Sequence, residues 1–178
     1  MTGTDKGLKI YVGGLPGTSK TTCLLSAPGI EQHVFGEGEQ ETRKNFADRS
    51  DLLPEIVFNW WDCLTELEKD MIVKPDTTEA KADEITTLGK YRNISKYRRY
   101  LYNVRRDVEK GLVPARKSLG LDNLTPFADE FKSYIMVKYR TDIFTKEGNF
   151  DGRKFWPKYA EELADTVNLD DLLVRNKS

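Results

Sequence analysis

The sequence predicts an α/β fold with a central, mainly parallel sheet flanked by helices. Three observations predict it. Residues 8–22 run from a short apolar segment into a glycine-rich turn that closes on Lys20-Thr21-Thr22. Short apolar runs then alternate with stretches of helical periodicity, the pattern of a parallel sheet covered on its faces. A later apolar run, 118–121, ends at Asp122.

The first strand is expected at Leu8–Val12, before the turn Gly14-Leu15-Pro16-Gly17-Thr18-Ser19-Lys20-Thr21-Thr22. The turn nearly matches G-x-x-x-x-G-K-[ST], the phosphate-binding pattern. Successive backbone N–H groups in such a loop form a nest for a phosphate, and the following helix adds the positive end of its dipole. Gly14 and Gly17 allow backbone angles that a Cβ resists. Lys20 would reach the outer phosphates, and the Thr21 hydroxyl would ligate Mg²⁺. Ser19 stands where the pattern has glycine. A helix is expected over Thr21–Ser26.

Further strands are expected at His33–Phe35, Glu55–Phe58 and Ser118–Leu121. The second is followed by Glu37 and Glu39 around Gly38. Ligands of open α/β sheets bind beyond the carboxyl ends of the strands, so a carboxylate there could orient an attacking water. Glu37, nearer the strand, is the favoured one; an acidic surface turn is the alternative. Asp122 fits the carboxylate that holds the metal opposite a phosphate loop. An Asp that opens a turn is the alternative there.

Trp60–Met71 reads as one helix, with Trp60, Cys63, Leu64, Leu67 and Met71 at helical spacing. Residues 74–88 are polar and poor in large apolar groups, and read as a linker or surface segment. Over 91–112, Ile94, Tyr97, Leu101, Val104 and Val108 make one apolar stripe. Arg92, Lys96, Arg99, Arg106 and Lys110 fall together on the opposite face. Segment 74–117 is thus expected as an inserted linker plus a basic amphipathic helix within a single domain, 1–178. Two more helices are expected at Pro126–Tyr139 and Phe155–Leu173, with a loop at Gly148–Gly152.

The net charge of −1 is unevenly spread, since residues 89–117 hold ten Lys/Arg and two Asp/Glu. Five cations in a stripe suit the phosphates of single-stranded DNA, with Tyr91, Tyr100 and Tyr102 near enough to stack on bases. An ordinary solvated face is the alternative. Phe155, Trp156 and Tyr159 read as core. Arg140 and Arg153 could serve as arginine fingers in an oligomer. The chain is 38% hydrophobic and 32% charged, and no run approaches the ~18 apolar residues of a membrane span. Cys23 and Cys63 have no metal spacing and suit reduced thiols in a cytoplasmic protein. The single His33 supports no histidine-rich metal site.

Taken in order, these motifs resemble the RecA-like P-loop ATPases of bacteriophages, and more narrowly the AAA-type nucleotide-binding proteins of single-strand annealing and recombination. The residues that carry the resemblance are Gly14–Thr22, Phe35-Gly-Glu-Gly-Glu39, Glu55-Ile-Val-Phe-Asn-Trp-Trp-Asp-Cys-Leu64 and Leu121-Asp-Asn-Leu-Thr-Pro126. The resemblance implies a P-loop NTPase that binds ATP with Mg²⁺ and acts on single-stranded DNA in recombination or replication. It implies Lys20 and Glu37 as catalytic residues, Thr21 and Asp122 as metal ligands, and a homo-oligomer or phage proteins as partners in the host cytoplasm. The sequence departs from it at Ser19, in the long segment before Asp122, and in lacking the later strands of a RecA-like core. Two alternatives stay open: a non-catalytic nucleotide-binding module that regulates a partner, and a small-molecule or nucleotide kinase.

Overall fold

A computed structural model describes residues 19–36, 40–114 and 117–167. It is α/β, with a small three-stranded sheet flanked by helices. The elements run α1 (Lys20–Leu25), β1 (Ile30–Phe35), α2 (Gln40–Lys44), β2 (Ile56–Phe58), a 3₁₀ turn (Trp60–Cys63), α3 (Glu66–Val73), α4 (Glu79–Glu109), β3 (Ser118–Asp122), α5 (Leu124–Lys138), α6 (Arg140–Ile143) and α7 (Gly152–Val167). The strand order is β2-β1-β3. β1 and β3 run parallel, with Ile30 opposite Ser118 and Val34 opposite Asp122. The expected strand Leu8–Val12 lies outside the described residues. Among those described, the chain after β3 holds helices and one isolated bridge, Phe144 to Phe150.

The chain divides into two compact units, one of residues 1–57, 102–123 and 168–178, the other of 58–101 and 124–167. In the first, every residue of β1 is buried. A strand covered on both faces is what a parallel sheet demands. α1 lies on one face: a Cβ on Gly120 would stand 2.7 Å from Leu24 Cδ1 and 2.9 Å from Ile30 Cδ1. The same face carries Gln32, and the opposite face pairs His33 Nε2 with Glu31 Oε1 at 2.9 Å. Asp51 ties the start of β1 in place by accepting from Gly29 N at 2.7 Å. The Arg49 guanidinium, which bonds it twice, holds its carboxyl at about 2.

The second unit is built on aromatic contacts. Phe58 meets Tyr97 edge-on at 4.8 Å, Tyr97 meets Phe127 at 5.9 Å, and Phe131 meets Tyr159 at 5.3 Å. Ile85, Ile94, Leu101, Ile135, Ile143 and Phe155 complete the core. Gly89 of α4 is a close-approach site: a Cβ there would meet Leu64 Cδ2 at 2.9 Å, Trp60 Cε3 at 3.0 Å and Trp60 O at 3.2 Å.

Four expectations are corrected in outline. Trp60–Met71 is not one helix: a 3₁₀ turn ends at Cys63, and Thr65 starts α3 with a capping box closed by Glu68. Residues 79–88, expected as linker, are the first turns of α4. Ala80, Ala82, Lys81 and Glu84 favour helix without adding to an apolar stripe, and a Lys81–Glu84 ion pair at 2.9 Å spans one turn. The helix expected at 91–112 therefore begins at Glu79, and it ends at Glu109. The helix expected from Phe155 begins at Gly152 and is described to Val167.

Candidate functional site

Every residue of this site belongs to the first unit. The parallel register brings the carboxyl ends of β1 and β3 to the same edge, and Asp122 is the last residue of β3. α1 starts beside it. Its first helical bond runs from Cys23 N to Ser19 O at 3.0 Å. Ser19 itself has φ 56° and ψ 30°, the left-handed region, and is the one non-glycine with positive φ among the described residues. A Cβ disfavours that conformation, which glycine adopts freely.

Thr21 is buried, with 5% of its surface exposed. Its hydroxyl donates to Asp122 Oδ2 at 3.1 Å. Gln32, also buried, donates from Nε2 to the same oxygen at 3.0 Å. Arg43 of α2 donates from Nη1 to Gln32 Oε1 at 2.8 Å, and from Nη2 to Leu53 O. One carboxylate oxygen thus receives two donors, and a cation orients one of them. Lys20 is half-buried at the head of α1, while Thr22 is exposed.

A hydroxyl and a carboxylate are hard oxygen donors of the kind Mg²⁺ takes alongside phosphate oxygens and water. The pair fits that ion in its usual mode, with few protein ligands. No group of three or more His, Cys, Asp or Glu side chains able to hold a metal occurs among the described residues. Gly14–Thr18 and Glu37 lie outside them. Gln32 and Arg43 were not singled out from the sequence. The signal was present as Glu31-Gln32-His33, three polar residues inside a buried strand, which must find partners there.

The five cations expected to contact nucleic acid divide. Arg92 is committed within the second unit: it grips both carboxylate oxygens of Glu68 at 2.7 and 3.0 Å and donates to Cys63 O at 3.3 Å. That grip holds the Glu68 carboxyl at about 2. Lys96 and Arg99 are exposed on α4. Arg106 is exposed and paired with Asp107 at 3.0 Å, and Lys110 follows the end of the helix. Of the tyrosines expected to stack on bases, Tyr91 lies parallel to Tyr134 at 5.4 Å, Tyr100 meets Phe58 at 5.8 Å, and Tyr102 is exposed. Arg140 and Arg153 are both exposed.

Arg98, which the stripe did not include, has three partners within the second unit. It donates to Glu162, to Tyr134 Oη at 3.1 Å and to Asp165 at 2.7 Å. Lys138 donates to Glu162 at 2.6 Å, and Tyr139 donates to it as well. A second buried carboxyl, Glu130, has one amide donor, Asn93 Nδ2 at 2.7 Å. Burial pushes the Glu130 carboxyl up to about 7.

No protein-family model matches the chain, and no curated protein and no solved structure matches it. Among the described residues no helix is long and apolar enough to cross a membrane.

Proposed function

We propose that this chain binds a Mg²⁺-nucleoside triphosphate, in the manner of the RecA-like P-loop ATPases that its motifs resemble. The observation that carries the reading is the Thr21–Asp122 hydrogen bond. It joins the hydroxyl that closes the Gly14–Thr22 loop to the carboxylate at the end of β3, 101 residues away. Two residues singled out separately as ligands of one ion stand within a hydrogen bond of each other, at the carboxyl edge of a parallel sheet.

In this reading Lys20 places its charge against the outer phosphates, Thr21 and Asp122 hold Mg²⁺, and Glu37 orients water. The metal supplies charge neutralisation at the phosphates. Gln32 and Arg43 fix the rotamer of Asp122. Coupling to single-stranded DNA in recombination or replication is the biological reading that the resemblance favours.

Thermal melting with and without Mg²⁺-ATP tests it, on the wild type and Lys20→Ala. Ligand at about 100 times Kd stabilises a fold by roughly 2.7 kcal/mol, or about 5–10 °C at this size. A shift in the wild type that Lys20→Ala abolishes supports the site, and no shift in either overturns it. The serine at position 19, where the phosphate-loop pattern has glycine, favours a second reading, in which nucleotide is held without turnover. ATP binding with no phosphate release, with or without single-stranded DNA, would select that reading. Release that responds to DNA and not to nucleosides would exclude a kinase.

A further inference from the structure

The start of α7 shows two aromatic rings to solvent. Trp156 is 56% exposed and Phe150 is 51% exposed, although the sequence read Trp156 as core. Phe155 is buried and packs on both, with ring centroids 5.2 Å from Phe150 and 5.0 Å from Trp156. Tyr159 braces Trp156 from the next turn at 5.7 Å. A Cβ on Gly152 would stand 3.6 Å from Phe150 Cε1 and 4.0 Å from Trp156 Nε1. The two exposed rings therefore flank a residue with no side chain, and are held from beneath.

Residues 144–159 contain Lys146, Arg153, Lys154 and Lys158 against Glu147 and Asp151. Lys158 Nζ lies over the Tyr139 ring at 4.8 Å. The Asp151 carboxylate turns to the start of its own helix, accepting from Arg153 N at 3.0 Å and lying 3.9 Å from Lys154 Nζ. Glu147 is hydrogen-bonded by Thr145. Arg153 and Lys154 are exposed. Arg153 precedes Trp156 by three residues, so the two share a face of the helix.

Exposed rings bordered by cations match a ligand that offers flat apolar faces at regular distances from phosphates. Unpaired bases do so, whereas a duplex hides its base faces. An apolar protein surface would match the rings and leave the cations without purpose. We propose that Phe150 and Trp156, with Arg153 beside them, form a stacking site for single-stranded nucleic acid. The site rests on the single-stranded partner of the proposed function, and moves the contact from the cationic face of α4 to the start of α7.

The test uses the full chain without nucleotide, and fluorescence anisotropy of labelled oligothymidylate and oligouridylate of about 15 nucleotides. The wild type is expected to bind at least one of them, and the better of the two identifies DNA or RNA as the source. Trp156→Ala is expected to weaken binding roughly 5- to 150-fold, the range of one lost stacking contact. Trp156→Phe, which keeps a ring, is expected to restore most of it. Arg153→Gln is expected to reduce the slope of log K against log salt by about 0.7, one phosphate contact on a single strand; Arg153 is exposed, so this variant reports even if Trp156→Ala unfolds.

Binding by the wild type that neither Trp156→Ala nor Arg153→Gln alters would overturn this site. A loss confined to Lys96→Gln/Arg99→Gln would instead place the strand on α4 and leave the single-stranded partner standing. No binding to either oligonucleotide would overturn the site and that partner together. Equal affinity for a duplex, equally sensitive to Trp156→Ala, would overturn stacking. Self-association lost in Trp156→Ala, with no oligonucleotide bound, would assign the face to a second copy and overturn the proposal.

Discussion

Thr21 Oγ1 and Asp122 Oδ2 stand 3.1 Å apart, and Gln32 Nε2 reaches the same carboxylate oxygen at 3.0 Å. The Asp122 side chain is thereby held by two donors from its own unit. Asp122→Asn keeps the shape of this network and removes its charge. In melting experiments with ATP and titrated MgCl₂, the wild type should gain stability with Mg²⁺, and Asp122→Asn should not. An Asn variant that responds like the wild type would exclude Asp122 as the metal carboxylate.

Ser19 holds a left-handed backbone at φ 56°. That conformation costs a residue with a Cβ about 1–2 kcal/mol, against the roughly 0.5–1 kcal/mol that glycine loses in chain entropy. Ser19→Gly should therefore stabilise the protein by up to about 1 kcal/mol, a few degrees in Tm. A lower Tm would mean that the Ser19 side chain contributes contacts worth more than the strain.

Glu130 is 2% exposed, and burial raises its carboxyl to about 7 from the ordinary 4.5. Between those values the folded chain keeps a proton that the unfolded chain gives up, so stability falls as pH rises through the window. Glu130→Gln keeps an acceptor for Asn93 and does not ionise. It should gain about 1 kcal/mol over the wild type at pH 5 and about 3 kcal/mol at pH 8. Urea denaturation at the two pH values measures this. Equal gains at both would show that ionisation is not the cost.

Glu162 behaves in the opposite sense. Burial alone would raise its carboxyl, but hydrogen bonds from Lys138, Tyr139 and Arg98 outweigh burial and hold it at about 2. Its contribution is present above the ordinary carboxylate value and is lost as pH falls through about 2. Glu162→Gln should cost about 2–3 kcal/mol at pH 7, less than a fully buried pair because Lys138 is 35% exposed. The deficit should close toward pH 2. A deficit independent of pH would reassign it to packing.

What could be read from the sequence followed from short-range rules. The approach of Thr21 to Asp122 was legible because two motifs each asked for the same ion. The strand at 118–122 was legible from its apolar run, and α5 from its periodicity. The break inside Trp60–Met71 was also written there, as Thr65-x-x-Glu68, but the apolar spacing ran through it and hid the cap. Residues 79–88 failed for the opposite reason: Ile85 begins the buried face of α4, but that face continues through Gly89 and Asn93, which are not apolar and broke the stripe that could be counted. Commitments between distant side chains had no local mark. Arg92 looked like its neighbours on the basic face until Glu68 claimed it, and nothing near Trp156 distinguished a half-exposed ring from a buried one.

Neither compact unit is written as one stretch of sequence, since residues 102–123 of the first interrupt the second. The order of synthesis therefore matters. Thr21 leaves the ribosome 101 residues ahead of Asp122. At about 5–20 residues per second, Thr21 waits roughly 5–20 s for the carboxylate that accepts its hydrogen bond. Over that interval the Thr21 hydroxyl lacks the carboxylate it bonds in the folded unit, and a chain stopped before residue 122 never acquires it.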